Sequence, residues 1–498
     1  MAITRYTASA DTTITNAYKE NLSTRGTGSN MGEAEVLEVF SIYAQATTSS
    51  VTYQGDLKNR ERARFLVQFP TSDISTDRTA GLIPASGSVV WVLKLYNARH
   101  TNTLPDNFTI DVEAVNGAWE EGYGIDMNEY EDLTHDVDGA NWIKRAGSTA
   151  WSSAGGDIHA SPSFSQEFSN GREDLEIDIS DLVEEWLPTS GHGTKSNHGI
   201  RFSITAAQET STARSYYTKK FFSRQSNKFF LKPTLEAQWD SSLRDDSANF
   251  YASSSIAPAA DNLNTIYFYN NLRGRHVDIG ALGANQSTAT KIHLKLYPSL
   301  GGVVKTLPLG GGVDVADATV ATGSWVETGI YSATLAFTGS ETTVYPVWET
   351  TAGVELYSGS AITVNKFSGA SSNEETQYVT TITNLKKSYT RSETARFRLY
   401  IRPKDWSPTV YTVSSTATNS TIIPEAFWKL SRVKDDFTVV DYGTGSTNYT
   451  KMSYDSAGSY FDFDMSNLED GYAYNLKFIY KINDNYHEQP ETFKFRVD

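Results

Sequence analysis

Between Glu120 and Asp138 the sequence gathers eight carboxylates: Glu120, Glu121, Asp126, Glu129, Glu131, Asp132, Asp136 and Asp138. Most fall in one glycine-bounded stretch, GYGIDMNEYEDLTHDVDGAN (Gly122 to Asn141). Hard oxygen ligands on a loop are the chemistry of a calcium site. The spacing departs from a twelve-residue calcium loop, because "DVDG" lacks the third ligand and the terminal Glu. Asp136 and Asp138 stand as the candidate calcium ligands, beside the plainer reading of a solvated acidic loop. Calcium is the one cofactor this pattern suggests. Tyr123 and Tyr130, in the same stretch, combine a flat apolar ring with a hydrogen-bonding tip and are the candidate contacts for a sugar ligand.

Other chemistries find less support. His135, His159, His192 and His198 fall in one half of the chain, but no His-x-His or HExxH arrangement joins them, and "GHG" (Gly191 to Gly193) reads as a turn. There is no GxSxG nucleophile elbow. The Gly-rich "LPLGGGVDVADATVATG" from Leu307 lacks the Lys-Ser/Thr ending of a phosphate loop. Paired carboxylates for glycoside cleavage need a cleft and a separation of roughly 5 to 10 Å, which sequence does not show, and with so many acids in loops pairs arise by chance. Trp119, Trp142, Trp151 and Trp186 could stack on sugars, but buried anchors of a sandwich core are the better reading. No catalytic residue is assigned, and the chain is expected not to be an enzyme.

Composition sets the remaining limits. The 498 residues carry a net charge of -16, which argues against a nucleic-acid partner, since such a partner demands a cationic face. The absence of cysteine removes disulfides, thiolate metal sites and cysteine nucleophiles. No run approaches the ~18 apolar residues of a membrane span, and no membrane insertion is expected. The start, MAITRYTASADTTIT, has no apolar signal core, so assembly in a cytoplasm is expected.

The elements that would position these residues are strands. "ARFLVQFP" (Ala63 to Pro70), "SVVWVLKLYNA" from Ser88, "FTIDVEAV" from Phe108, "KIHLKLYP" from Lys291, "ARFRLYIRP" from Ala395 and "YNLKFIYKI" from Tyr474 alternate apolar and polar residues, with Gly, Asn, Asp and Ser between them. The best helix is "ISDLVEEWL" (Ile179 to Leu187), with Ser180 as its cap and Glu184 completing a capping box. Alternation lapses at Trp239 to Asn262 and at Asn365 to Gln377. The expected domains are therefore 1–242, 243–370 and 371–498. The expected fold is all-β: a jelly-roll-like β-sandwich followed by two immunoglobulin-like β-sandwich domains.

An ordered set of fragments in the first half resembles the DNRLRE-type β-sandwich, a carbohydrate-binding-module-like family. The fragments are "ADTTI" from Ala10, "ARFLVQFP", "SVVWVLKLY", "VEAVNGAWEEG" from Val112, "ANW" at Ala140, "AW" at Ala150 and "GGD" at Gly155. "IDISDLVEEWL", "NHGIRFSI" from Asn197 and the closing "FFSRQSN…KPTLEAQW" from Phe221 complete the series. The resemblance covers about half the chain and implies a sandwich that binds polysaccharide or builds an extracellular or virion assembly; it carries no catalytic residues. In the last domain "LEDGYAY" places Leu468, Gly471 and Tyr474 at the spacing of a tyrosine corner, similar to immunoglobulin and fibronectin-like sandwiches. "RFRLYIRPKDWSPTVYTV" and "FDFDMSNLEDGYAYNLKFIYKI" are similar to virion structural proteins of marine tailed bacteriophages.

The function expected from all this is a non-enzymatic structural component of a tailed-phage virion, in capsid decoration, neck or tail, with possible contacts to host surface glycans. Its partners would be other virion proteins and further copies of itself, and its location the virion. A bacterial polysaccharide-binding surface protein is the alternative, and a polysaccharide-degrading enzyme the third reading.

Overall fold

The computed structural model describes residues 2–19, 24–43, 60–100, 105–127, 139–187, 193–254, 256, 258–283, 286, 291–366, 377–407, 409–410 and 420–498. The chain divides into two compact units, Ala2–Trp239 and Asp240–Asp498. In both, most of the regular structure is β-strand.

The first unit runs β1 (Ile3–Thr7), β2 (Ala10–Thr15), β3 (Val36–Tyr43), β4 (Arg60–Gln68), α1 (Thr71–Thr79), β5 (Val90–Leu95) and β6 (Phe108–Val115). A short hairpin, β7 (Lys144–Ala146) and β8 (Thr149–Ala150), precedes β9 (Ile158–Phe168), β10 (Leu175–Asp178) and α2 (Ser180–Trp186). The unit closes with β11 (Ile200–Ile204), α3 (Ala206–Thr210), β12 (Ser215–Phe222) and β13 (Thr234–Gln238). Two antiparallel sheets form. One has the order β1-β13-β5-β10, the other β12-β3-β4-β11-β6-β9, with β2 sharing an edge of β4 with β3. The chain repeatedly switches sheets, as in a jelly roll, because each strand must lay one apolar face on the other sheet.

Strand β4 shows why the alternation matters. Phe65 and Val67 enter the core between the sheets with Trp91, Leu93, Phe108, Val112, Phe202 and Leu235. Leu66, one residue out of phase, belongs to a second apolar cluster with Ile14, Trp119, Trp142 and Trp151. The strand is therefore covered on both faces, and its period-two pattern separates two cores.

The helix over Ser180–Trp186 forms where the sequence places one, but not with the expected cap. Ser180 lies inside the helix; its hydroxyl donates to Asp178 Oδ1 (2.5 Å) and accepts from the Trp91 backbone N–H (2.9 Å). Glu184 turns away from the helix start to accept from Arg78 (2.6 and 2.9 Å) and from the Trp91 indole (3.1 Å). A buried carboxylate needs charged or strong donors, and a free N–H at an accessible helix end competes poorly with them.

In the second unit, residues up to Thr363 form a seven-stranded antiparallel sheet, running from Asn264–Tyr269 at one edge to Glu355–Ser358 and Ile362–Thr363 at the other, and a separate short hairpin of Asn271–Leu272 with Arg275–His276. Phe268 on the first edge strand stacks 5.8 Å from Trp348 and 5.4 Å from Tyr357. The strand bearing Trp348 is four strands away, which in a flat sheet is ~19 Å. The sheet therefore curls until its edges meet, and one sheet supplies both walls of the core. The described residues between 377 and 498 form two sheets, of four and six strands. Between them Trp428 stacks on Phe461 at 4.9 Å, and Phe397 on Phe461 at 5.1 Å.

The tyrosine corner is present in this sandwich. Tyr474 is fully buried and its hydroxyl donates to the Glu469 carbonyl at 2.7 Å, five residues back. Removing that hydroxyl leaves a carbonyl short of a donor. Tyr474→Phe is expected to lower stability by about 1–2 kcal/mol, read as a shift of the chemical-denaturation midpoint; an unchanged midpoint would contradict this role.

Candidate functional site

The far face of the seven-stranded sheet of the first unit carries most of the side chains singled out by type. Alternation along β4 puts Arg60, Arg62 and Arg64 on that face, and cross-strand pairing with β11 adds Arg201. Left alone, four guanidinium groups side by side would repel. Instead Arg64 grips Glu209 of α3 with two bonds (2.6 and 3.2 Å) and donates to the Gly155 carbonyl (2.9 Å). Arg201 donates to the Gly156 carbonyl at 2.7 Å and pairs with Glu113. Arg60 donates to the carbonyls of Thr210 and Ser211 and lies 4.8 Å over the Tyr43 ring. The Arg64 guanidinium also lies 5.2 Å over Trp142. Planar, multivalent guanidinium is suited to holding a carboxylate and a carbonyl at once, which an ammonium does less well.

These bonds tie down the segment after β6 as a lid on the sheet. Trp119, Trp142 and Trp151 are buried beneath it with Ile14, Leu66 and Val115. Two of the three indoles donate to backbone: Trp119 to the His198 carbonyl (2.7 Å), and Trp151 to the Asn141 carbonyl (2.9 Å). Gly155 has φ +93°, and a Cβ there would meet both Arg64 and the Trp142 ring at 2.8 Å. Trp186 is buried in the main core. The four tryptophans are thus packing groups rather than an exposed sugar platform.

Asn30 joins the described residues on either side of the acidic stretch, 121–124 and 139–140, into a stem. Its amide nitrogen donates to the carbonyls of Glu121 (2.7 Å) and Ala140 (2.8 Å), and its oxygen accepts from Gly32 (3.1 Å) and Gly124 (2.8 Å). All four hydrogen-bonding positions of the side chain are used. Glycine is required around it: a Cβ on Gly124 would lie 1.8 Å from the Asn30 carbonyl oxygen, and one on Gly139 2.4 Å from its side chain. Beside the stem, Arg224 pairs through two bonds with Glu121, whose Oε1 also accepts from the Asp11 N–H at 2.8 Å. Asp11 Oδ2 accepts from the Arg224 N–H at 2.6 Å, while its other oxygen is buried without a hydrogen-bond partner. Burial pushes the Asp11 carboxyl up to about 7, with the nearby Glu121 charge adding to the shift.

Of the residues expected to bind ligands, Tyr123 lies on this stem and is 63 % exposed, and Ile125 beside it is 54 % exposed. Tyr130, Asp136 and Asp138 lie outside the described residues, as do His135 and His192. Among the described residues no group of three or more His, Cys, Asp or Glu is placed to hold a metal ion. Burial, with the charges of His159 and Arg145, pushes the His198 imidazole down. Sequence reasoning missed the Asn30 clamp, because a lone Asn in a Gly-rich stretch has the composition of any turn.

A second candidate surface lies in the second unit, a groove of about 720 Å³ lined by Asp246, Tyr251, Asp261, Asn262, Asn264 and Tyr454. Tyr454 donates to Asp246 (2.8 Å), and Asn264 makes two bonds to the backbone of Tyr251 (2.9 Å each). That leaves the half-exposed Tyr251 ring framed by amides and carboxylates, an arrangement that suits a polar ring such as a sugar. Elsewhere, the hollow that contains His487 and Glu491 also contains Glu488, which is paired with Lys477 at 2.8 Å.

The sequence matches no family model and no curated protein. Among solved structures it is similar to the Yersinia pseudotuberculosis adhesin InvE, at 12% identity over 50% of this chain and 56% of that one, with a TM-score of 0.16. At that score the likeness carries no functional argument.

The clamp and the buried acid are open to measurement. Asn30→Ala strands two carbonyls and two N–H groups; it should cost about 2–4 kcal/mol and speed limited proteolysis between residues 122 and 139. Unchanged cleavage would mean the stem holds without it. For Asp11 the folded value lies above the unfolded one, so the folded chain binds the proton more tightly and this group's contribution falls as pH rises from about 4 to about 7. Asp11→Asn, which keeps the acceptor for Arg224, should be more stable than the parent by about 1–3 kcal/mol at pH 8. The gap should close near pH 4; denaturation curves at the two pH values decide it.

Proposed function

We propose that the chain is a non-enzymatic structural component of a tailed-bacteriophage virion, built to hold contact loops on rigid sandwiches. The observation that carries this reading is the saturated Asn30 clamp, which fixes the residues flanking the acidic stretch while Tyr123 and Ile125 on the same stem stay exposed. A fixed stem bearing exposed apolar side chains presents a surface at low ordering cost, the property of a contact loop. The likeness of the last domain's sequence to virion structural proteins supports the particle setting, and the resemblance of the first half to carbohydrate-binding modules supports contacts with host glycans. Many copies on one particle would turn weak individual contacts into firm attachment.

A bacterial polysaccharide-binding surface protein is the second reading, and the groove around Tyr251 favours it. The two make different predictions for where the chain is found and how tightly one copy binds. In the first, the chain occurs in purified virions in a fixed ratio to capsid, neck or tail proteins by quantitative mass spectrometry. A single copy then binds glycans at about millimolar strength or weaker on an array. Absence from washed particles, together with tight and selective glycan binding that Tyr251→Ala abolishes, would replace the first reading with the second.

A further inference from the structure

The inward positions of β12 should be apolar, and one is a lysine. Lys219 sits between Ser215 and Phe221 on the core-facing side of the strand, opposite Val39 on β3, and its side chain is 0 % exposed. Its ammonium nitrogen lies 5.1 Å from the ring centres of both Phe168 and Phe221. It donates to Asn97 Oδ1 at 2.6 Å and to the Gly171 carbonyl at 2.9 Å. A stranded core lysine is costly to the fold, and a methionine of similar length would fill the space without that cost. The arrangement calls for another explanation.

We propose that Lys219 and Asn97 become joined by an intramolecular amide bond, which the folded chain forms on itself with release of ammonia.

The requirements of that reaction are met in place. Burial pushes the Lys219 amine down to about 8, so that at neutral pH about a tenth of it is the nucleophilic free base. With Nζ 2.6 Å from Oδ1, an ordinary hydrogen-bond angle puts it ~3.4 Å from the amide carbon, the range of a near-attack contact. Backbone pairing holds both partners: the Ala98 N–H donates to the Lys220 carbonyl (3.0 Å), and the Phe222 N–H to the Tyr96 carbonyl (3.1 Å). Asp174 Oδ1 accepts from the Asn97 backbone N–H at 2.6 Å, and the charges of Asp174 and Glu173 both act on Lys219. Glu173 Oε2 is buried with no hydrogen-bond partner.

In the step itself, the free amine attacks Cγ of Asn97. A bond forms between Nζ and Cγ, the bond between Cγ and Nδ2 breaks, and a proton from Nζ passes to Nδ2, which leaves as ammonia. That proton moves directly between the two nitrogens of the tetrahedral intermediate, while Asp174 holds the Asn97 backbone in place. Nothing is oxidised or reduced, and no co-reactant is consumed. The product would link the end of β5 in one sheet to the edge strand β12 of the other, closing a loop of 122 residues in a chain that has no cysteine. It would act as an inter-sheet staple that reductants cannot open.

The intact mass of the unsubstituted full-length chain tests the proposal directly. The expected value is about 17 Da below the sequence mass, the loss of one ammonia, with a branched peptide joining Asn97 to Lys219 after digestion. Lys219→Met and Asn97→Ala should each return the chain to its sequence mass, and Asp174→Ala should leave a larger unlinked fraction. A folded unsubstituted chain at full sequence mass, with no branched peptide, overturns the proposal. So does loss of ammonia that persists in Lys219→Met. Because the first measurement needs no variant, a variant that fails to fold does not protect the idea.

Discussion

The structure of the first unit depends on one constraint: the central strands of its large sheet are covered on both faces, so each must satisfy two different environments in alternate residues. Between the sheets the solution is apolar, with Phe65, Val67 and Phe202 packed against Trp91 and Leu235. On the far face the strands carry arginines, and a cationic face under a lid is tolerable only if each charge finds an acid or a carbonyl. Glu209 and Glu113 provide the acids, and the Gly155–Gly156 turn provides the carbonyls. The lid, its tryptophans and the stem of the acidic stretch follow from that pairing.

The same logic explains why few of the polar groups in the lid are spare. Asn30 uses all four of its hydrogen bonds, and the Trp119 and Trp151 indoles end on backbone carbonyls. Asp11 and Lys219 are departures of another kind, buried ionisable groups whose burial pushes each toward its neutral form. Such groups lower stability unless something else is gained. For Lys219 the neighbouring carboxamide supplies a chemical outlet. For Asp11 burial places a carboxyl pushed up to about 7 beside the Asn30 stem.

The second unit reaches similar ends by different means. Its first part uses one curled sheet, with Phe268 meeting Trp348 and Tyr357 across the closure. Its last part uses two sheets, with Trp428 and Phe461 stacked between them. In both, aromatic side chains do the filling, since a single large ring spans the gap that several aliphatic groups would otherwise have to fill.

What the sequence determined by itself was local. Period-two alternation marked β4, β5 and β6 and the last long strand, because a strand's side chains must alternate faces whatever its neighbours are. The spacing of Leu468, Gly471 and Tyr474 foretold a bond within five residues, and the helix at Ser180–Trp186 announced itself through its apolar face. Tertiary structure decided everything that depends on distant partners. It turned Ser180 and Glu184 from cap residues into partners of Trp91 and Arg78, and it buried Trp119, Trp142 and Trp151 under Arg64 and Gly155. It also made Asn30 a clamp and brought Lys219 to Asn97 across 122 residues. Burial and hydrogen bonding between residues a hundred positions apart leave no imprint on the spacing of either one, so only the folded chain could show them.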